Sequence, residues 1–234
     1  MLSRIIRHAQ PFQRALIDLL FPPRCVTCKR IGNWFCQDCL ASCEIIPTPI
    51  CEHCGRHLLT FPCAYCKQFP LVIDGTRAIY FFETKMRGAI HAFKYEKRVE
   101  LAAILAARFD AYLREQHLPF DVVVPVPLHA ERERARGYNQ SLLLARELQA
   151  RRGCEVWSEA LTRVRVTLPQ VELDAAARRV NVADAFTATA RVRHRQILLI
   201  DDVLTTGATM DACAVALKQA GAQSVWGLAL ARGR

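Results

Sequence analysis

Four Cys-x-x-Cys pairs fall within the first 70 residues: Cys25 and Cys28, Cys36 and Cys39, Cys51 and Cys54, Cys63 and Cys66. Two cysteines at this spacing can face a single ion, and their soft thiolates suit Zn²⁺ in a tetrahedral shell. A filled shell of four thiolates leaves no open position for chemistry, so the expectation is two structural zinc ions. A region this poor in apolar bulk would draw much of its folding free energy from the metal. Shifting the first two pairs by 26 or 27 residues lands on the last two, which marks an internal repeat. A self-contained repeat would group Cys25, Cys28, Cys36 and Cys39 on one ion and Cys51, Cys54, Cys63 and Cys66 on the other. Only 7 and 8 residues then separate the knuckles within each site. An interleaved pairing, with separations of 22 and 23, stays open on spacing alone.

Gly55 follows Cys54 and suits a knuckle turn of positive φ, whereas Lys29 fills the equivalent place after Cys28. Cys43, Cys154 and Cys213 have no partner spacing and are expected as small packing residues. Cysteines arranged for metal, rather than for disulfides, point to a reducing compartment and a cytoplasmic protein.

The chain of 234 residues is 52% hydrophobic, enough for one full core and a satellite. No run of about 18 apolar residues occurs, so an integral membrane protein is not expected. Residues 1–22 carry helical spacing at Leu2, Ile5, Ile6, Ala9, Phe12, Leu16 and Leu19. Arg4, Arg7, Arg14 and Asp18 break any signal-peptide core, which leaves an amphipathic docking helix. The net charge of +10 favours polyanions, but it is diffuse: 8 basic against 4 acidic side chains in residues 1–70, and 24 against 18 beyond.

Residues 23–70 hold the cysteine pairs, and from 71 to 234 the pattern changes. Strands are expected at 76–82, 121–127, 197–202 and 224–230, and helices at 84–95, 98–116, 139–152 and 209–220. A polar basic loop is expected between the second strand and the third helix. Continuous apolar strands alternating with amphipathic helices imply an α/β domain with a parallel sheet covered on both faces.

The densest chemistry lies in ILLIDDVLTTGAT, residues 197–209. A buried strand would deliver Asp201 and Asp202 at its carboxyl end, where open α/β sheets bind ligands. Thr205, Thr206, Gly207, Ala208 and Thr209 then turn into a helix. Small residues let backbone N–H groups approach an anion, and the helix presents its positive end, so this nest fits a phosphate monoester. The two carboxylates can accept hydrogen bonds from sugar hydroxyls. No Gly-x-x-x-x-Gly-Lys-Ser/Thr loop is present, which argues against a P-loop nucleotide hydrolase.

This stretch resembles the phosphoribosyl-diphosphate motif of type I phosphoribosyltransferases. The chain as a whole resembles the ComF family of competence and DNA-utilisation proteins, also called the GntX group. The matching stretches are the cysteine knuckles, AIHAFKYEKR (89–98), VVPVPLHAERERARGYNQSLLLAREL (123–148), LTRVRVTLPQVELDAAARRVNVADAF (161–186) and ILLIDDVLTTGAT. The resemblance implies a double zinc ribbon followed by a phosphoribosyltransferase-like domain. It further implies 5-phosphoribosyl 1-diphosphate with Mg²⁺ as ligand, and a role in handling incoming DNA alongside competence helicase machinery.

In a phosphoribosyltransferase fold the loop Glu131–Asn139 resembles the one that cradles the diphosphate. Arg132, Arg134 and Arg136 would neutralise the leaving group; the competing expectation is a solvated Glu/Arg helix start. Gly137 permits a tight loop, Asn139 can cap the following helix, and Gln140 can reach a ligand. Lys94, Arg163, Arg165, Gln170, Arg178, Arg179 and Asn181 lie in polar segments resembling family motifs, and 163–181 is long enough to form a cover.

Two functions stay open. In the first, the ribose diphosphate binds with Mg²⁺ and is transferred to an acceptor, through an oxocarbenium-like centre. In the second, the chain is a non-catalytic adaptor for single-stranded DNA, or a sensor of the ribose diphosphate. Trp34 and Phe35 would then stack on bases beside Arg24, Lys29 and Arg30, unless they form the core of the ribbon.

Overall fold

Leu198 and Ile200 pack toward one side of a sheet and Ile197 and Leu199 toward the other, the alternation that a strand buried on both faces requires. The structure, a computed structural model, describes residues 22–165, 180–182 and 184–234. The expected helix over 1–22 therefore lies almost wholly outside the described residues, as do Gln170, Arg178 and Arg179.

The first ribbon carries helix α1 (Gln37–Ala41) and the second α2 (Ala64–Gln68). Next come β1 (Gly75–Phe81), α3 (Thr84–Tyr95), α4 (Leu101–Glu115), β2 (Val122–Pro125), α5 (Ala130–Arg136), α6 (Gln140–Arg152) and β3 (Glu155–Val156). Strands β4 (Leu161–Arg163) and β5 (Phe186–Ala188) form an antiparallel pair. The chain ends with β6 (Gln196–Leu204), α7 (Ala208–Gln219) and β7 (Ser224–Arg232).

The main sheet is parallel throughout, in the order β1-β7-β6-β2-β3. Successive strands run outward from β2 to β3 on one side and from β6 to β7 on the other. The carboxyl ends of the neighbours β2 and β6 therefore flank a topological switch point, where a crevice opens. Residues 44–46 lie along the outer edge of β1: the Phe81 N–H donates to Glu44 O at 2.9 Å and the Ile46 N–H to Ile79 O at 3.0 Å. This contact covers an edge that would otherwise be open to pairing.

Two findings depart from the sequence expectations. The basic stretch after β2 is not all loop, because residues 130–136 form α5. This realises the competing expectation of a Glu/Arg helix start: the His129 side chain accepts from the Glu131 N–H and Gly137 ends the helix at φ 89°. The first zinc ribbon, expected within a satellite, packs against the main core. Cys25, Phe35, Cys36, Cys39, Leu40 and Cys43 pack in one cluster with α3, α4 and α6.

Candidate functional site

The knuckles of the two ribbons repeat in geometry as well as in spacing. In the first, the Lys29 N–H donates to Cys25 O (2.9 Å) and the Cys25 N–H to Arg30 O (2.8 Å). In the second, the Gly55 N–H donates to Cys51 O (2.8 Å) and the Cys51 N–H to Arg56 O (2.7 Å). Gly55 sits at φ 67°, as its residue type suggests, and Lys29 adopts the same turn at φ 64°. The first knuckle thus departs from glycine in sequence only. At Gly55 glycine has a second reason: a Cβ there would lie 2.3 Å from the Thr76 carbonyl oxygen.

The sulfurs settle the pairing. Cys25, Cys28, Cys36 and Cys39 converge in one group and Cys51, Cys54, Cys63 and Cys66 in another, with all ligand atoms of each group within 4.8 Å. Sulfur pairs Cys28–Cys36, Cys54–Cys63 and Cys51–Cys66 stand 3.6, 3.6 and 3.7 Å apart. A tetrahedral Zn²⁺ with Zn–S near 2.3 Å needs edges of about 3.7–3.8 Å, so both shells fit zinc and the interleaved arrangement is excluded. Cys43 and Cys213 are buried packing residues and Cys154 is partly so. Phe35 belongs to the core, and Trp34 packs against it under the Arg98 guanidinium, 4.9 Å from the ring centroid. The ribbon-core alternative is therefore the one realised.

At the switch point a cleft of about 780 Å³ opens. Asp201, Asp202, Thr205, Gly207 and Thr209 line the cleft, from the end of β6, the loop that follows and the first turn of α7. Gly207 has φ 86° and is the residue before the first turn of α7. The Ala208 N–H donates to Thr206 Oγ1 at 3.3 Å, and the Asp211 N–H to Gly207 O at 2.9 Å. These bonds shape the loop as a helix entry, with the positive end of α7 behind it.

Asp202 is 2% exposed, with Lys94 Nζ 2.8 Å from its Oδ2, off the hydrogen-bonding direction. Lys94 rides on α3, so this ion pair joins two sides of the cleft. Asp201 Oδ1 accepts from Ser141 Oγ (2.8 Å) and from the Asp202 N–H (2.9 Å). Burial, with the neighbouring Asp202 charge, pushes the Asp201 carboxyl up to about 7. The two acids are thus unequal: one ion-paired, one on the edge of protonation at neutral pH.

Among the diphosphate-loop candidates, Arg132, Arg136 and Gln140 face the cleft. Arg134 is exposed and bonds back to Ala130 O at 3.4 Å, while Gly137 and Asn139 are structural. Asn139 caps α6, its Oδ1 accepting from the N–H groups of Ser141 (2.9 Å) and Leu142 (3.3 Å), and its Nδ2 donates to Val126 O at 3.1 Å. Arg136 donates to Gln140 Oε1. Arg163, buried at the end of β4, also lines the cleft; burial, followed by the charge of Arg132, lowers its pKa. Arg132 and Arg163 both add positive charge to the lining of the cleft, which favours an anionic ligand there. Arg165 is exposed and reaches Asn181 O at 3.2 Å.

Sequence reasoning missed Ser141, which follows Gln140 in the first turn of α6 and supports Asp201. It also missed Arg56 and Tyr65, which contact the loop from the second ribbon: Arg56 Nη2 donates to Thr205 O (3.4 Å) and Tyr65 Oη to Thr206 O. Among the described residues no helix is long and apolar enough to cross a membrane.

Residues 16–69 match the double zinc ribbon domain family. The chain is 33% identical over 225 residues to the DNA utilization protein YhgH of Escherichia coli K12, covering 88% of this chain and 96% of that protein. It is 30% identical over 224 residues to Competence protein F of Haemophilus influenzae, covering 89% and 97%. Among solved structures, the glutamine phosphoribosylpyrophosphate amidotransferase of B. subtilis covers 56% of this chain, and 25% of its own length, at 22% identity and a TM-score of 0.35. With its ribbon match, its near full-length relatives and a parallel sheet whose switch point carries the Asp201–Thr209 loop, the chain belongs to the ComF family of competence and DNA-utilisation proteins.

Proposed function

We propose that the cleft binds 5-phosphoribosyl 1-diphosphate with Mg²⁺, and that the protein serves DNA uptake or DNA utilisation through this site. The observation that carries the reading is the sequence of groups lining the cleft: the acid pair Asp201 and Asp202, then a loop turned by Gly207 into the N-terminus of α7. The loop takes the 5-phosphate on its amides and hydroxyls. The acids accept from the ribose hydroxyls, and Arg132, Arg136 and Arg163 face the diphosphate. Mg²⁺ would neutralise the same diphosphate, and these residues would hold it in line for departure. The competence role rests on the names of the relatives.

A second reading, a single-stranded DNA adaptor, is favoured by one observation: Arg24 and Lys29 are exposed on the first ribbon, on the other side of the core from α7. Exchanging Asp201 and Asp202 for Asn together should abolish ribose-diphosphate binding and spare DNA affinity. Replacing Arg24, Lys29 and Arg30 by Ala should do the reverse and flatten the salt dependence of DNA binding by about 0.7 per lost phosphate contact. If the Asp pair alone controls strand binding and no ribose diphosphate binds, the pocket belongs to the DNA.

A further inference from the structure

Thr205 and Gly207 of the loop Thr205–Ala208 line the cleft. The same loop is held by the second zinc ribbon, whose Tyr65 lies on α2 between the ligands Cys63 and Cys66. The Tyr65 hydroxyl donates to the Thr206 carbonyl, and the Arg56 guanidinium donates to the Thr205 carbonyl at 3.4 Å. The two donors also hold one another, since Arg56 Cζ lies 4.1 Å from the centroid of the Tyr65 ring. Neither side chain lines the cleft. Elsewhere the ribbon is pinned to the sheet: Arg232 of β7 donates to Cys54 O at 2.6 Å, and the Thr76 N–H to His53 O at 2.7 Å.

In a planar trans peptide the carbonyl and the amide N–H point in opposite directions. The Thr205 carbonyl shares its peptide with the Thr206 N–H, and the Thr206 carbonyl shares its peptide with the Gly207 N–H. Holding both carbonyls toward the ribbon turns both amides away from it. We propose that Tyr65 and Arg56 are positioning residues of the phosphate loop, clamping these two carbonyls so that the Thr206 and Gly207 amides are aimed at the anion in the cleft. The second zinc ribbon is then the rigid outer half of the ligand site, and its zinc shell sets the place of Tyr65. Preorganised amides bind an anion more tightly because the loop does not have to be ordered by the ligand. The inference rests on the ribose-phosphate reading of the cleft for the identity of the anion, but not for the clamp itself.

The test uses the full zinc-loaded chain and the variants Tyr65→Phe and Arg56→Gln. Tyr65→Phe keeps the ring beside Arg56 and removes only the donor. Zinc content, amide hydrogen exchange without ligand, and affinity for 5-phosphoribosyl 1-diphosphate with Mg²⁺ are measured on each. The expected result is two zinc ions retained, faster exchange at residues 205–208 with ribbon amides unchanged, and affinity weakened roughly 3- to 10-fold, as for one lost hydrogen bond. Unchanged loop exchange in both variants overturns the clamp. If the wild type binds no ribose diphosphate but the variants still loosen the loop, the clamp stands and only the ligand assignment fails. If a variant releases zinc, exchange in the other decides; release by both, with the loop still protected, overturns the proposal.

Discussion

Lys94 Nζ stands 2.8 Å from Asp202 Oδ2, joining helix α3 to the end of β6 across the floor of the cleft. Lys94 is 20% exposed at its side chain and Asp202 2%, so the lysine is the better solvated of the pair. Losing the cation leaves a buried carboxylate uncompensated. Lys94→Met is expected to destabilise the protein by about 2–3 kcal/mol, below the ~3–5 kcal/mol of a fully buried pair because the lysine is partly solvated. Thermal unfolding at pH 7 checks this, read as a lower Tm for Lys94→Met than for the wild type.

Asp201 carries the opposite imbalance. Its carboxyl is raised to about 7 in the folded chain, against an ordinary value near 3.8, by burial and by the Asp202 charge. Between those values the folded protein holds a proton that the unfolded chain has lost, so this group's contribution to stability declines as pH rises through about 4 to 7. Asp201→Asn should therefore stabilise the protein at pH 8, on the order of 1 kcal/mol, while weakening ribose-phosphate binding. Ligand hydroxyls donate to the ionised form, so wild-type affinity should climb several-fold from pH 6 to pH 8. The Asn variant should show a flat profile over that range.

Much of this site was legible in the sequence because its signals are local. ILLI buried on both faces announced β6, Asp201 and Asp202 had to fall at its carboxyl end, and Asn139 before an apolar-periodic run announced the cap of α6. What was not legible depends on contacts far apart in the chain. Tyr65 and Arg56 meet the Thr205–Ala208 loop across 141 and 149 residues, and no residue pattern encodes that meeting. Lys94 was visible as a polar residue in a family-like segment, but not as the partner of Asp202. The grouping of the cysteines was undecided because thiolate spacing permits both pairings; the convergence of the sulfurs in space decided it.

The two zinc shells should differ in how much of the protein depends on them. Cys39 packs with the main core, whereas the second shell is outside that cluster and is tied to β7 by Arg232, which donates to Cys54 O at 2.6 Å. Purified, reduced protein should contain two zinc ions per chain. Cys39→Ser and Cys63→Ser should each reduce the count to one by elemental analysis, with the larger fall in Tm for Cys39→Ser. Equal Tm values for the two variants would contradict the core role of the first ribbon.

Gly55 and Lys29 share a left-handed turn, but at Gly55 a Cβ would lie 2.3 Å from the Thr76 carbonyl oxygen. Gly55→Ala should cost about 2–3 kcal/mol, combining the ~1 kcal/mol strain of a side chain at positive φ with overpacking against the Thr76 carbonyl. Lys29→Ala should change stability by under about 0.5 kcal/mol. Denaturant midpoints measured for both variants separate the two effects.

Gly207 offers the most direct test of the central claim that the loop after β6 is a phosphate cradle. A Cβ there meets nothing closer than Leu204 Cδ1 at 3.9 Å, so Gly207→Val fails by backbone conformation at φ 86° and by obstructing approach to the amides, not by a clash within the core. The decisive measurement is calorimetric titration of the wild type and of Gly207→Val with 5-phosphoribosyl 1-diphosphate, with and without Mg²⁺, alongside zinc analysis. The account predicts saturable, Mg²⁺-strengthened binding to the wild type and none to the variant, with two zinc ions in each. Equal affinity of a folded, zinc-replete variant, or no binding to the wild type, would contradict it.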